Sequence, residues 1–109
     1  MSGGTRLVTS RIDFEGISAA ALKCSEPIVQ RWLPAGGRSG REWVAINPRR
    51  ADKRTGSFKV NLATGRWSDF ATGDAGGDLI SLGAYLHGIS QGEAARRLAA
   101  MLGLPGGAP

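Results

Sequence analysis

Apolar residues at helical spacing mark the first third of the chain. They recur every three or four positions, and they are Ile17, Ala20, Ala21, Cys24 and Ile28. The spacing predicts a helix over residues 14–24 that buries this stripe. Cys24 lies on the apolar side, so we expect it to be a small core residue rather than a reactive thiol.

A second helix is predicted directly after the first. Ser25 is a suitable N-cap, and Pro27 is tolerated in the first turn because its missing N–H would have no helical partner there. The helix should end near residues 32–33, since residues 34–37 contain a proline and two glycines that favour a turn.

The period then changes to that of β-strands. Residues 42–46 are rich in strand-forming side chains, and residues 58–62 alternate apolar with polar side chains. Residues 63–65 fit a three-residue hairpin loop with Gly65 at the left-handed position, and residues 66–70 form the returning strand. The pattern predicts a small antiparallel sheet of about three strands.

Two more helices are predicted after the sheet. Asp78 can cap a helix that runs to Leu86 and stops at Gly88. Ser90 and Glu93 form a capping box for the last helix. The buried face of that helix should contain Ala94, Ala95, Leu98 and Leu102. The predicted fold is α+β, a small antiparallel sheet with two N-terminal and two C-terminal helices. Its expected core is Phe58, Val60, Leu62, Phe70, Leu79, Leu82, Leu86 and Leu98.

Length and composition favour one domain. The chain has 109 residues, of which 41% are hydrophobic, enough for a core that folds unaided. We expect residues 1–11 to be a flexible lead-in, residues 12–104 to form the domain, and residues 105–109 to begin a linker. The single cysteine excludes an internal disulfide, and no apolar run approaches the roughly 20 residues of a membrane helix. A cytoplasmic monomer without a membrane partner is expected.

Positive charge is concentrated in the middle of the chain. The net charge is +5, and residues 38–66 alone carry eight basic and two acidic side chains. Residues 1–37 have a net charge of +1 and residues 67–109 of −2. Clustering of this kind is typical of a surface that contacts nucleic-acid phosphates, although a solvated basic face without a partner gives the same count.

Residue types for catalysis are scarce. The glycines of segment 73–77 precede an apolar helix, as in many phosphate sites, but the Gly-Lys-Ser/Thr ending of a P-loop is missing and two aspartates would repel an anion. We therefore expect a tight connection between sheet and helix. His87 has no second histidine or cysteine at ligand spacing, and a two-metal site built from Asp69, Asp74 and Asp78 is less favoured than turn and capping roles.

A series of motifs in the second half of the chain has a known counterpart. Two strands lead to Gly-Gly-Asp (76–78), and two helices follow, the second with Glu-Ala-x-x-x-Leu (93–98). The stretch GSFKVNLATGRWSDFATGDAGGDLISLGAYLHGISQGEAARRLAAMLGL resembles the N-terminal zinc-binding domain of bacterial and phage DNA primases. The likeness extends over about residues 47–104 and implies a module that helps a primase to engage single-stranded template.

The four metal-ligand positions of that family differ in this chain. They fall at Asn47, Arg50, Asp69 and Thr72, none of which is cysteine or histidine. The chain is therefore similar to a metal-free version of the module, as in the primase–helicase proteins of phages, plasmids and mobile elements, and no metal or cofactor is expected. Arg50 and Asp69 occupy two of these positions, so we expect them to form an ion pair.

The first functional hypothesis is a non-catalytic module that binds single-stranded DNA, with RNA left open, beside a primase or helicase domain in the same chain. The residues expected to bind nucleic acid are Arg38, Arg41, Arg49, Arg50, Lys53, Arg54, Lys59, Arg66 and Trp67. Trp43 or Trp67 would stack on a base if exposed, whereas core packing is the more frequent role of a tryptophan. The second hypothesis is a protein-interaction or spacer module that orients the neighbouring domain. A small enzyme is the third and least favoured.

Overall fold

A computed structural model of the chain describes residues 12–49 and 57–104. Within these ranges it contains four helices and five strands. In chain order they are α1 (Phe14–Lys23), α2 (Ser25–Trp32), β1 (Gly37–Ser39), β2 (Glu42–Ala45), β3 (Phe58–Asn61), β4 (Trp67–Asp69), β5 (Ala75–Gly76), α3 (Leu79–His87) and α4 (Gln91–Leu102). The predicted lead-in and linker, residues 1–11 and 105–109, lie outside the described residues. No described helix has both the length and the apolar character needed to cross a membrane.

The five strands form one antiparallel open sheet whose spatial order, β1-β2-β3-β4-β5, is their order in the chain. The α+β class and the two pairs of flanking helices are confirmed. The prediction of about three strands is corrected to five, because β2, β3 and β4 are flanked by the short edge strands β1 and β5. These edges contain three and two residues, too few to show an alternating pattern in sequence.

The two faces of the sheet differ because side chains alternate along each strand. One face is buried under the helices and carries Trp43, Ala45, Phe58, Val60, Trp67 and Asp69. The register places Val44, Lys59, Ser68 and Ala75 side by side on the opposite face. That face is partly exposed in β2, β3 and β4. The predicted alternation of Phe58 and Val60 with Lys59 is confirmed.

The predicted helix ends agree with the structure at several caps. Asp78 and Ser81 form a capping box at the start of α3, and Gly88 ends this helix in the left-handed conformation with φ 64°. The Ser90 side chain accepts a hydrogen bond from the Glu93 N–H at the start of α4. Gly65 has φ 81°, as the predicted hairpin loop requires.

Two predictions at the junction of α1 and α2 are wrong. Cys24 is exposed and not part of the core, because it is the cap residue between the two helices and its backbone N–H bonds to Ala21 O. Ser25 is the first residue of α2 and not its cap. The Ser25 hydroxyl donates instead to Leu62 O over 2.6 Å, which ties α2 to the end of β3.

The predicted core is correct except at one aromatic residue. Most of its members are buried, and Leu86 is partly buried against the cluster. Phe70, in contrast, is 74% exposed. Phe70 directly follows Asp69 at the end of β4, and Asp69 has no exposed surface. Neighbouring strand residues point to opposite faces, so burial of Asp69 turns Phe70 outward.

Candidate functional site

Asn47 and Asp69, two of the four positions that the resemblance to the primase domain would align with metal ligands, are in direct contact. The Asn47 Nδ2 group donates a hydrogen bond to Asp69 Oδ2 over 2.8 Å. Both side chains are buried, with 2% of Asn47 and none of Asp69 exposed. The third position, Thr72, is exposed on the turn after β4. Arg50, the fourth, lies outside the described residues, and with it the predicted Arg50–Asp69 pair.

Tyr85 of α3 completes a polar network around Asn47. Asn47 Nδ2 also donates to the Tyr85 hydroxyl, which in turn donates to Asp74 Oδ2, each over 2.8 Å. Asn47 Oδ1 accepts from the backbone N–H of Arg49 over 2.9 Å. The Asn47 amide therefore uses both donors and its acceptor. Burial raises the pKa of the Tyr85 hydroxyl above its ordinary value of 10.0, and the neighbouring Asp74 carboxylate adds to this shift.

The turn between β4 and β5 holds Asp69 in place. Asp69 Oδ1 accepts from the Ala71 N–H, and the Asp69 carbonyl accepts from the N–H groups of Thr72 and Gly73. The Thr72 hydroxyl accepts from the Asp74 N–H, so Thr72 belongs to the turn and not to the buried network. Among residues 12–49 and 57–104, no three His, Cys, Asp or Glu side chains are placed to bind a metal ion. The arrangement joins the sheet to α3 through hydrogen bonds.

The exposed face of the sheet forms a groove of about 520 Å³. Its residues are Glu42, Lys59, Asn61, Arg66, Trp67, Ser68, Ala75, Gly76 and Gly77. Small side chains therefore line much of the groove, and Lys59 and Arg66 provide its positive charge. Lys59 Nζ lies 4.0 Å from Glu42 Oε1, a distance at which an exposed ion pair contributes little and leaves the lysine available. We name this region the sheet groove.

The glycines of segment 73–77 serve packing and turn geometry. A Cβ on Gly76 would lie 2.6 Å from Trp67 Cε2 and would also meet Ser81 Oγ, so only glycine lets β5 approach the indole. Gly73 has φ 84° in the turn between β4 and β5. The prediction of a tight connection between sheet and helix is confirmed, with the added finding that residues 75–76 are themselves a strand.

The basic residues predicted to bind nucleic acid do not all share one face. Lys59 and Arg66 line the sheet groove. Arg38 forms an ion pair with Glu26 of α2, which belongs to the helical side of the sheet. Arg49 donates to Tyr85 O over 2.7 Å, and its guanidinium lies 5.3 Å from the Tyr85 ring centroid. These two arginines therefore have contacts that hold elements of the fold together.

The other predicted residues are an exposed arginine, three basic residues of the connection between β2 and β3, and a tryptophan. Arg41 is exposed at the turn between β1 and β2. The basic residues of the following connection, Arg50, Lys53 and Arg54, lie outside the described residues. Trp67, expected to stack on a base if exposed, is only 5% exposed, donates from Nε1 to Ser81 Oγ and packs against Tyr85 at a centroid distance of 4.7 Å. Trp43 is equally buried and donates to Leu33 O.

Phe70 is the surface residue that sequence reasoning missed. It lies on the same face as Lys59, and Lys59 Nζ is 5.9 Å from its ring centroid. A signal for it exists in the sequence. Trp67 and Phe70 are three positions apart, so a continuous strand cannot direct both rings into the core.

Comparison with known proteins identifies no family for this chain. The chain matches no protein-family model and no curated protein.

Proposed function

We propose that this domain is a non-catalytic module that binds single-stranded nucleic acid across the sheet groove. The observation that carries the proposal is the groove itself, in which Lys59 and Arg66 flank small side chains on an exposed sheet face. Single-strand-binding surfaces combine a positively charged groove that follows the backbone with aromatic side chains on which bases stack. We further propose, from the resemblance described above, that the module acts in the cytoplasm beside a primase or helicase domain of the same chain.

The charge distribution supports this proposal. The connection from β2 to β3 adds Arg50, Lys53 and Arg54 to the chain just before Lys59. Together with Lys59 and Arg66 they supply about five cations for phosphate contacts. If four or five of them neutralise phosphates, the logarithm of affinity should fall with the logarithm of salt concentration with a slope of roughly −3. Such contacts would tolerate any base sequence, because phosphates carry no base identity.

The test is a fluorescence-anisotropy titration with a labelled single-stranded oligonucleotide at several salt concentrations. Lys59→Gln/Arg66→Gln should weaken binding and reduce the magnitude of the slope by about 1.4, since two phosphate contacts are lost. The charge-matched control is Arg96→Gln/Arg97→Gln on α4, where both arginines lie near Glu93. This control should keep the wild-type slope.

Two results would contradict the proposal. Equal loss of affinity in both double variants would mean that only overall charge matters and not the sheet groove. Absence of wild-type binding to single-stranded DNA and RNA at about 50 mM salt, where phosphate contacts are strong, would exclude the binding function. A protein-interaction module that meets an acidic partner surface would then take its place.

A further inference from the structure

Phe70 presents a large aromatic ring to solvent at the edge of a basic surface. It is 74% exposed, whereas the other two exposed large hydrophobic residues of the described chain, Phe14 and Met101, are each 42% exposed. Its backbone N–H donates to Ser57 O over 3.0 Å, which continues the pairing of β3 with β4 by one residue. The ring is therefore presented by an ordered strand end.

Phe70 lies beside a lysine side chain. Lys59 Nζ lies 5.9 Å from the ring centroid, and Lys59 also lines the sheet groove. In the sequence, Arg50, Lys53 and Arg54 come shortly before Ser57, whose carbonyl accepts the Phe70 N–H. An apolar protein partner would have to cover the Lys59 charge, whereas an anionic ligand with a flat aromatic group complements both the ring and the ammonium group.

We infer that Phe70 stacks on a base of single-stranded nucleic acid while Lys59 contacts a phosphate of the same strand. This inference rests on the proposed function and names one of its contacts. A nucleotide carries its base and its phosphate on one sugar, so a ring and an ammonium group side by side suit one nucleotide. In a duplex both faces of an internal base are covered by its neighbours, so the contact selects a single strand. Every base has a π-face, and stacking of this kind accepts any sequence.

Two independent changes test the contact, one in the protein and one in the strand. Phe70→Ala should weaken binding of a labelled oligothymidylate by roughly tenfold, and Phe70→Trp should restore it. The salt slope should be unchanged in Phe70→Ala, because the phosphate contacts remain. Phe14→Ala, which removes an exposed ring from α1, is the control and should bind as the wild type does.

An abasic oligonucleotide of the same length and charge provides the second arm. The wild type should bind it about tenfold more weakly than oligothymidylate, and Phe70→Ala should lose no further affinity for it. Full affinity of Phe70→Ala for oligothymidylate, or equal wild-type affinity for both strands, would overturn the stacking contact while leaving the proposed function in place. Absence of binding by the wild type to any strand would overturn both.

Discussion

Removal of the Asp69 side chain should destabilise the fold strongly because this polar group is buried and hydrogen-bonded. Asp69 is fully buried and accepts hydrogen bonds from Asn47 Nδ2 and from the Ala71 N–H over 2.8 and 2.9 Å. In Asp69→Ala the Ala71 N–H loses this acceptor and Asn47 loses one of its partners. Leaving a buried donor such as Asn47 Nδ2 without its acceptor costs about 1–3 kcal/mol, and the lost bond from the exposed Ala71 about 0.5–1.5 kcal/mol, so a loss of roughly 2–4 kcal/mol in the free energy of unfolding is expected. This is a large part of the 5–15 kcal/mol or so that stabilises an ordinary domain.

The partner variant, Asn47→Ala, should cost about as much. It leaves the Asp69 carboxylate buried with one donor fewer and removes the bonds to the Tyr85 hydroxyl and the Arg49 N–H. Because both single variants remove the same contact, their effects should not add. The double variant should be about 1–2 kcal/mol more stable than the sum of the single losses predicts.

Urea denaturation followed by circular dichroism measures all four proteins of this cycle. Asn61→Ala is the matched control, since Asn61 Oδ1 also accepts two backbone N–H groups, from Ala63 and Thr64, but in an exposed turn. Water can replace that acceptor, so the control should lose only about 0.5–1 kcal/mol. Losses below 0.5 kcal/mol or so in both network variants, or strict additivity in the cycle, would refute the reasoning.

Three further predictions concern packing, protonation and metal. In urea denaturation, Gly76→Ala should lose about 1–3 kcal/mol of stability because the added Cβ would overlap Trp67. Gly77→Ala is the control and should stay near the wild-type stability, since its Cβ would meet no atom within 4 Å. Equal stabilities of the two variants would contradict this prediction. The raised pKa of Tyr85 keeps its hydroxyl protonated in the fold, so its contribution should be complete below about pH 10 and be lost as the pH rises further. Tyr85 is the single tyrosine, so the ultraviolet signal of its phenolate should appear at higher pH in the folded protein than in urea, and coincident titrations would exclude the shift. Finally, a chelator should leave the urea midpoint unchanged, because the positions aligned with metal ligands contain no cysteine or histidine, and unfolding by the chelator would show a structural metal.

Local sequence signals predict the regular elements of this fold well. Asp78, Gly88 and Ser90 each cap or end a helix through their own backbone or side-chain chemistry, which does not depend on the rest of the chain. The alternation around Phe58 and Val60 likewise fixes which side of β3 is buried. The edge strands β1 and β5 are not predicted by local signals, since each forms only by pairing with a neighbouring strand. For β5 the pairing also requires the close approach to Trp67 that Gly76 allows.

The candidate site is harder to predict because it depends on which polar residue is buried. The sequence, through its resemblance to the primase domain, predicts an Arg50–Asp69 pair, which stays a prediction because Arg50 lies outside the described residues, and it gives no sign that Asn47 contacts Asp69. In the structure Asn47 reaches Asp69 because β2 and β4 flank β3 in the sheet, a relation that only the topology supplies. Hydrophobicity alone assigns Phe70 to the core, and burial of the neighbouring carboxylate reverses that assignment.

The order of the strands has a consequence for how this domain can change. Each of the five described strands pairs with its neighbour in the chain, and three of the four connections between them are short, with two residues between β1 and β2 and five in each of the hairpins that join β3, β4 and β5. Only the connection between β2 and β3, residues 46–57, is longer, and it contains the densest run of cations. The entropy of closing a loop grows slowly with length, so doubling this connection would cost only about 0.6 kcal/mol. Asn47 and Arg49 at its start are held by the polar network and by Tyr85, but insertions and charge changes after them can accumulate at little cost to folding, which lets affinity for an anionic ligand evolve separately from the stability of the sheet.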